Sequence, residues 1–359
     1  MRVITTCPYS LSLPGGVQGQ VLGLARALRA LGVDARVVAP CDGPPPEPGV
    51  ISIGPSVEWE SNGSVAPIAP GPVATRRTIA ALRSIRPDVV HLHEPVVPGP
   101  SLATLIGFEG PMVGTFHSSG DILPSEWLKP PLRPLVQRLA VRVAVSEAAA
   151  HTAAECYGTD DARVLWNGIE VERFAGAPAT PAPVPTVLFV GRHEDRKGLG
   201  VLLDAWAALD RDAVLWIVGT GPRTEELQAR HVARVEWLGR VTDAELASRL
   251  RGATVFCAPS LHGESFGVVL LEAMSAGATV VASAIDGYAN VARAELEGVL
   301  VAPGDYTGLR DALRRVLDDA TLRERLVTAG RDRAAEFSMR RLAEVYLGCY
   351  EEAAAAVRG

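Results

Sequence analysis

Residues 186–218 read TVLFVGRHEDRKGLGVLLDAWAALDRDAVLWIV. An apolar strand pattern, Thr186–Val190, runs into a charged turn, then an Ala/Leu-rich helical pattern at Val201–Leu209, then a second strand pattern at Val214–Val218. Repeated strand–helix–strand units build parallel sheets with helices on both faces. The alternation continues downstream, with strands at Val235–Leu238, Val255–Ala258, Thr279–Ala282 and Gly298–Val301 and helices at Thr224–Arg230, Asp243–Arg251, Val268–Ser275 and Tyr306–Asp318. Upstream, strands at Arg2–Thr6, Ala35–Ala39, Val89–Leu92, Met112–Phe116, Arg142–Val145 and Arg163–Leu165 alternate with helices at Gln18–Leu31, Thr75–Ile85 and Leu132–Ala140. The expectation is an α/β chain of two doubly wound domains, residues 1–172 and 173–338, facing each other across a central cleft. The carboxyl ends of both sheets would line that cleft, because ligands of such sheets bind there. The Pro/Ala stretch Ala175–Pro185 reads as the linker. A last helical pattern, Met339–Val357 within residues 339–359, is free to cross back to the first domain.

A chain of 359 residues, 48% hydrophobic, is long enough for two domains with sizeable cores. A formal net charge of −6 argues against nucleic acid as a partner. Cysteines at 7, 41, 156, 257 and 349 are odd in number, widely spaced and without a Cys-x-x-Cys. They read as reduced thiols of a cytoplasmic protein, not as a zinc site or a disulfide framework. No apolar run reaches the ~18 residues of a membrane span. The N-terminus is a short strand and not a signal peptide, so the protein is expected to be soluble, with the inner membrane surface open to it.

The residues with chemical promise lie at strand ends. Glu264 and Glu272 flank an apolar run that starts with Phe266-Gly267. If that run is helical from Phe266, Glu264 sits at its N-terminal mouth and Glu272 about two turns on. Such a site offers backbone N–H groups to a diphosphate and carboxylates to hydroxyl groups, which is what a nucleotide-sugar needs. Arg192 and Lys197, in the turn of the opening stretch, can converge on the same diphosphate as a fork and a point charge. Gly15-Gly16 follow the first strand and open the first helix, where backbone can approach a phosphate or simply turn. Gly219-Thr220-Gly221-Pro222 is read as a connector. His117 stands just past a strand end. His91-Leu92-His93-Glu94 suggests a metal, but no further cluster has ligand spacing. It therefore reads as a pocket wall, and no divalent metal is required. The helix Thr75–Arg86 carries Arg76, Arg77, Arg83 and Arg86 beside Ile79, Leu82 and Ile85. It suits anionic lipid and an ordinary surface helix equally.

Together, Gly15-Gly16, Arg192/Lys197 and Glu264-x7-Glu272 resemble the retaining glycosyltransferases of family 4, and the resemblance covers essentially the whole chain. Cys7-Pro8-Tyr9-Ser10, Asn62-Gly63-Ser64, His91-Leu92-His93-Glu94-Pro95, Thr115-Phe116-His117 and Gly263-Glu264-Ser265-Phe266-Gly267 are similar to stretches of the actinobacterial phosphatidyl-myo-inositol mannosyltransferases. The resemblance implies the GT-B fold of two facing Rossmann-like domains, with GDP-mannose as donor, a membrane phosphoinositide as acceptor and no tightly bound cofactor. It implies an N-terminal acceptor domain and a C-terminal nucleotide-sugar domain. On the donor side it implies Gly15, Gly16, Arg192 and Lys197 at the diphosphate, Glu264 with Ser265, Phe266 and Gly267 at the sugar, Glu272 at the ribose and Val241 at the base. On the acceptor side it implies Tyr9, Gln18, Asn62, His117 and Ser118, and against lipid it implies Arg76, Arg77 and Arg83. Catalysis would rest on His117, Arg192, Lys197 and Glu264, by front-face attack with the leaving diphosphate taking the proton. The stretches after His117 and after Pro95 depart from the mycobacterial pattern, on the acceptor side.

Other functions compete with this one. A UDP-sugar transferred to inositol phosphate or to a small natural product would use the same fold. A non-catalytic nucleotide-binding protein would be expected to have lost one of these residues. A nicotinamide dehydrogenase would need the third glycine that the Gly15-Gly16 turn lacks.

Overall fold

The computed structural model describes residues 1–13, 15–61, 64–118, 129–264 and 266–357. The chain forms two compact units, one of Met1–Gly168 with the segment from Met339 onward, the other of Ile169–Ser338.

The first unit contains β1 (Arg2–Thr6), α1 (Gly16–Ala30), β2 (Asp34–Ala39), β3 (Val50–Ser52), the hairpin β4 (Val57–Ser61) and β5 (Ser64–Ile68), α2 (Pro72–Ile85), β6 (Val89–His93), α3 (Pro100–Gly107), β7 (Met112–Phe116), α4 (Lys129–Val136), β8 (Val141–Ala144), α5 (Glu147–Tyr157) and β9 (Arg163–Val164). Its seven-stranded sheet has the order β3-β2-β1-β6-β7-β8-β9, all parallel. Successive strand residues point to opposite faces. Ile4, Val90, Leu92 and Phe116 pack into one core with Leu82, Leu105 and Tyr157. Val3, Val89, Val113 and Val143 pack into the other with Leu24 and Leu28 of α1. That parity turns His91, His93 and Thr115 toward the α1 side.

The second unit contains α6 (Val171–Ala175), β10 (Thr186–Val190), α7 (Leu199–Ala207), β11 (Val214–Val218), α8 (Thr224–Gln228), β12 (Val235–Gly239), α9 (Asp243–Gly252), β13 (Val255–Ala258), α10 (Val268–Ala276), β14 (Thr279–Ser283), α11 (Asp286–Ala289), β15 (Gly298–Val301), α12 (Tyr306–Asp318) and α13 (Ala320–Glu336). Its six parallel strands run β12-β11-β10-β13-β14-β15. Val187, Phe189, Leu215 and Ile217 meet Leu202, Leu203, Trp206 and Leu313 in its core. The final helix α14 (Met339–Ala356) belongs to the first unit, where Tyr346 and Tyr350 complete the α1-side core.

Strand order reverses between β1 and β6 in one sheet and between β10 and β13 in the other. These are the switch points at which doubly wound sheets take ligands. The stretch read as a linker is packed: Thr180 N–H donates to Ser248 O at 3.0 Å and the two side-chain hydroxyls lie 2.8 Å apart. The passage between units instead falls at Gly168–Ile169. Helix α10 starts at Val268, as its pattern indicates, and not at Phe266, because Gly267 caps it in the left-handed region at φ 82°.

Candidate functional site

In the second unit the loops after β10 and β13 lie against each other at the switch point. Gly198, at φ 67°, makes this possible, since a Cβ there would stand 1.9 Å from Pro259 O. The contact sets Lys197, at the end of a 3-10 turn, beside Glu264, with Nζ 2.5 Å from Oε1. Ser260 Oγ donates to the same carboxylate at 3.2 Å and Arg196 Nη1 at 3.4 Å, while Arg196 Nη2 pairs with Glu194 at 2.7 Å. Glu264 is held from behind as well: a Cβ on Gly287 would stand 1.8 Å from its carbonyl oxygen. Arg192 is exposed and has no ion-pair partner among the described residues. The Gly219–Gly221 turn is more than a connector. Gly219, at φ 120°, leaves room for Gly191 O, and a Cβ on Gly221 would lie 2.6 Å from His193 N. This turn braces the backbone that presents Arg192.

Lys197 and Glu264 are thus brought together. Glu272 sits apart from them, in the second turn of α10 and half-buried. Burial pushes its carboxyl up to about 7, with Arg173 opposing the shift and Asp243 adding to it. Those two form their own ion pair at 2.9 Å. Val241 is half-buried in the turn before α9, whose Thr242 caps the helix by accepting from Glu245 N–H. The Phe266 side chain is buried edge-on to Phe337, so only its backbone is on offer to a ligand. Ser265 lies outside the described residues.

In the first unit the ends of β1, β6 and β7 gather a different chemistry. Tyr9 is half-buried and bridges to Ile68; burial, with help from Glu94, raises its phenol. Gln18 is buried against Gly15 and donates to Ser10 O at 3.4 Å. Gly16 opens α1, whose first turn carries no acidic residue, so its N–H groups face no competing carboxylate of their own helix. His117 Nε2 lies 2.7 Å from His93 Nδ1. One carboxylate oxygen of buried Glu94 accepts from His117 N–H at 3.0 Å and from Ser118 Oγ at 2.6 Å. Burial lowers His91 and His117 to about 3, and His93 well below its ordinary value, so all three rings are neutral near pH 7. Asn62 lies outside the described residues.

Helix α2 buries Ala74, Thr78 and Leu82 and leaves Val73, Arg76, Arg77 and Arg83 exposed. Arg77 is partly tethered, donating to Ile53 O at 3.2 Å. Among the described residues no helix is long and apolar enough to cross a membrane, and no group of three or more His, Cys, Asp or Glu is placed to hold a metal ion.

Sequence reading passed over Arg196, Ser260 and the Arg173–Asp243 pair, and gave Glu94 only a general role. Arg196 had a signal, adjacency to Lys197 in a turn after a strand. Asp243 had none, because its partner Arg173 comes from a distant element, and Ser260, four residues before Glu264, stands in no motif that marks it.

Two family models match the chain: Glycosyltransferase Family 4 over residues 14–173 and Glycosyl transferases group 1 over residues 184–319. The phosphatidyl-myo-inositol mannosyltransferase of Mycobacterium leprae is 40% identical, over 99% of this chain and 97% of that one. The protein of the same name from Mycolicibacterium smegmatis is 39% identical, over 98% and 94%. Among solved structures, a glycosyltransferase from Rickettsia africae superposes with a TM-score of 0.75 at 19% identity, covering 98% of each chain; at that identity the likeness speaks for the fold.

Proposed function

This chain belongs to family 4 of the glycosyltransferases, a hexosyltransferase of GT-B fold, and from that premise we propose that it transfers mannose from GDP-mannose to phosphatidyl-myo-inositol with retention at the anomeric carbon. The name the relatives carry supports both mannose and the inositol lipid. The observation that carries the reading is the convergence of Lys197, Arg196 and Glu264 at a sheet's switch point. A nucleotide diphosphate-sugar offers each group what it lacks: anionic oxygens for the two cations, hydroxyl donors for the carboxylate.

In this reading the second unit is the donor domain. Lys197 and Arg192 hold the diphosphate, with Gly15 and Gly16 approaching it. Glu264 and the backbone around Ser265, Phe266 and Gly267 hold the sugar hydroxyls, Glu272 the ribose and Val241 the base. The first unit is the acceptor domain, with Tyr9, Gln18, Asn62, His117 and Ser118 around the inositol ring. Arg76, Arg77 and Arg83 rest on anionic lipid at the inner face of the cytoplasmic membrane. The bond from the anomeric carbon to the phosphate oxygen breaks as the acceptor oxygen bonds on the same face, and the acceptor's proton passes to the departing diphosphate. Stabilising that diphosphate supplies most of the rate.

A thermal-shift titration with GDP, UDP, ADP and their sugars tests this. Stabilisation by GDP-mannose above all others is expected. Preference for a uridine or adenine nucleotide would overturn the mannose assignment and leave the family standing.

A further inference from the structure

His91 and His93 differ in a way that bears on His117. Both nitrogens of His91 are partnered, Nδ1 with the Tyr350 hydroxyl at 2.9 Å and Nε2 with Thr115 Oγ1 at 2.7 Å. Those hydroxyls donate or accept, so His91 can hold either tautomer. His93 is partnered at one nitrogen alone. Its Nδ1 lies 2.7 Å from His117 Nε2, and its Nε2 is buried without a partner among the described residues.

A hydrogen bond between two neutral imidazoles contains a single N–H. If His117 were the donor, His93 would carry its proton on Nε2, a buried N–H donating to nothing. If His93 is the donor, the same Nε2 is a bare lone pair. Orphaned buried N–H groups are much rarer than under-used acceptors. The second arrangement therefore prevails, and it fixes His117 as well: with Nε2 accepting, the proton of that neutral ring resides on Nδ1.

We infer that His93 is a positioning residue that locks His117 in its Nδ1–H tautomer, making His117 a hydrogen-bond donor to a substrate oxygen and not a base. His117 Nδ1 has no partner among the described residues and is not among the buried unpartnered atoms. Glu94 fixes the same residue from its backbone, by accepting His117 N–H. The ring thus presents one polar atom, a donor of the kind that grips a sugar hydroxyl or phosphate oxygen. Because its acceptor nitrogen is occupied by His93, His117 has no lone pair with which to take the acceptor's proton. This rests on the glycosyl-transfer reading for its consequence, but the tautomer itself does not.

Long-range 1H–15N correlation spectra of the imidazoles in the full 15N-labelled chain at pH 7.5, without substrate, test the tautomer. His117, assigned by its loss in His117→Gln, is expected to show a protonated Nδ1 and a bare Nε2; a protonated Nε2 overturns the inference. This readout stands whichever sugar donor the chain uses. His93→Leu is expected to abolish that preference and lower kcat by about tenfold or more with donor KM within about twofold. His93→Asn, which puts an amide N–H near the place of Nδ1, is expected to recover most of that loss and the Nδ1–H signature. Wild-type kcat in His93→Leu, or no recovery in His93→Asn, overturns the positioning role. Should His93→Leu fail to fold, the wild-type spectrum decides alone.

Discussion

In the second unit the loops at the switch point bring together Lys197, Arg196 and Glu264; in the first, the strand ends bring together His93, Glu94 and His117. Both sheets are parallel and both reverse order at that point. Yet one site is built of part-exposed charges and the other around imidazole rings that desolvation holds neutral. The charged groups satisfy one another in the free chain, and an incoming dianion can take the cations over from Glu264 at small cost in desolvation. The neutral groups are fixed by hydrogen bonds with little freedom to rearrange, which suits a hydroxyl whose lone pairs and proton must be met at set positions. Under the proposed function, the same topology serves an electrostatic task in one unit and a geometric one in the other.

The largest effect should come from breaking the electrostatic side. Lys197→Ala is expected to lower kcat by about 100-fold, the loss typical of removing one donor to developing charge. Lys197→Arg should restore little of it. The chain has two lysines, at 129 and 197, among 35 basic residues. A lysine kept in so arginine-rich a sequence suits a compact point charge, where a planar fork would not fit against Glu264 and Ser260. Single-turnover rates at saturating donor would check this; a rate within threefold of wild type in Lys197→Ala would remove the residue from the diphosphate.

A smaller effect tests where the first unit keeps its charge. The histidine rings of its site are neutral, and Arg76, Arg77 and Arg83 stand exposed on α2. Replacing Arg76 and Arg83 together with serine should weaken binding to vesicles containing phosphatidylinositol or phosphatidylglycerol by about 30-fold, at roughly 1 kcal/mol per basic residue near the surface. The difference should vanish in high salt. Co-sedimentation that is equal for both proteins at low salt would move the lipid contact elsewhere.

The sheets were legible because their strands are short apolar runs bounded by turns, and fully buried parallel strands carry that signal without help from partners. Helix α13, Ala320–Glu336, escaped notice because it buries only the narrow stripe Leu322, Leu326, Gly330 and Ala334 beneath a charged surface. The strand β3 and the hairpin β4–β5 are interrupted by prolines and glycines that mask alternation. In the site, Lys197 and Glu264 could be named separately from their motifs, but their contact depends on Gly198 and Pro259, 61 positions apart, which no local pattern encodes. The histidine pair was hidden for a related reason. Which nitrogen lacks a partner follows from three-dimensional packing, and His91 and His93 look alike in the string His-Leu-His.

The smallest effect concerns a carboxylate that neither solution fully serves. Glu264 is compensated by Lys197, whereas Glu272 feels Arg173 and Asp243 pulling in opposite directions while burial raises it from 4.5 to about 7. A group whose pKa is higher in the folded chain than in the unfolded one contributes stability below its unfolded pKa and loses it as pH rises through the folded value. The contribution of Glu272 to wild-type stability should therefore decline between pH 4.5 and about 7. Glu272→Gln, which has no charge to bury, should match wild type at pH 4 and exceed it at pH 8. A full shift would be worth ~3 kcal/mol, and the partial exposure of Glu272 reduces that to about 1–2 kcal/mol, a rise of a few degrees in melting temperature. The same variant should bind the donor more weakly, since an amide is a poorer acceptor for ribose hydroxyls than a carboxylate. A stability gain at pH 8 with weaker donor binding would mean that this charge is kept for the ligand at the fold's expense; equal melting temperatures at both pH values would mean that Glu272 is already at ease in the free chain and that the contrast with Glu264 is only one of partners.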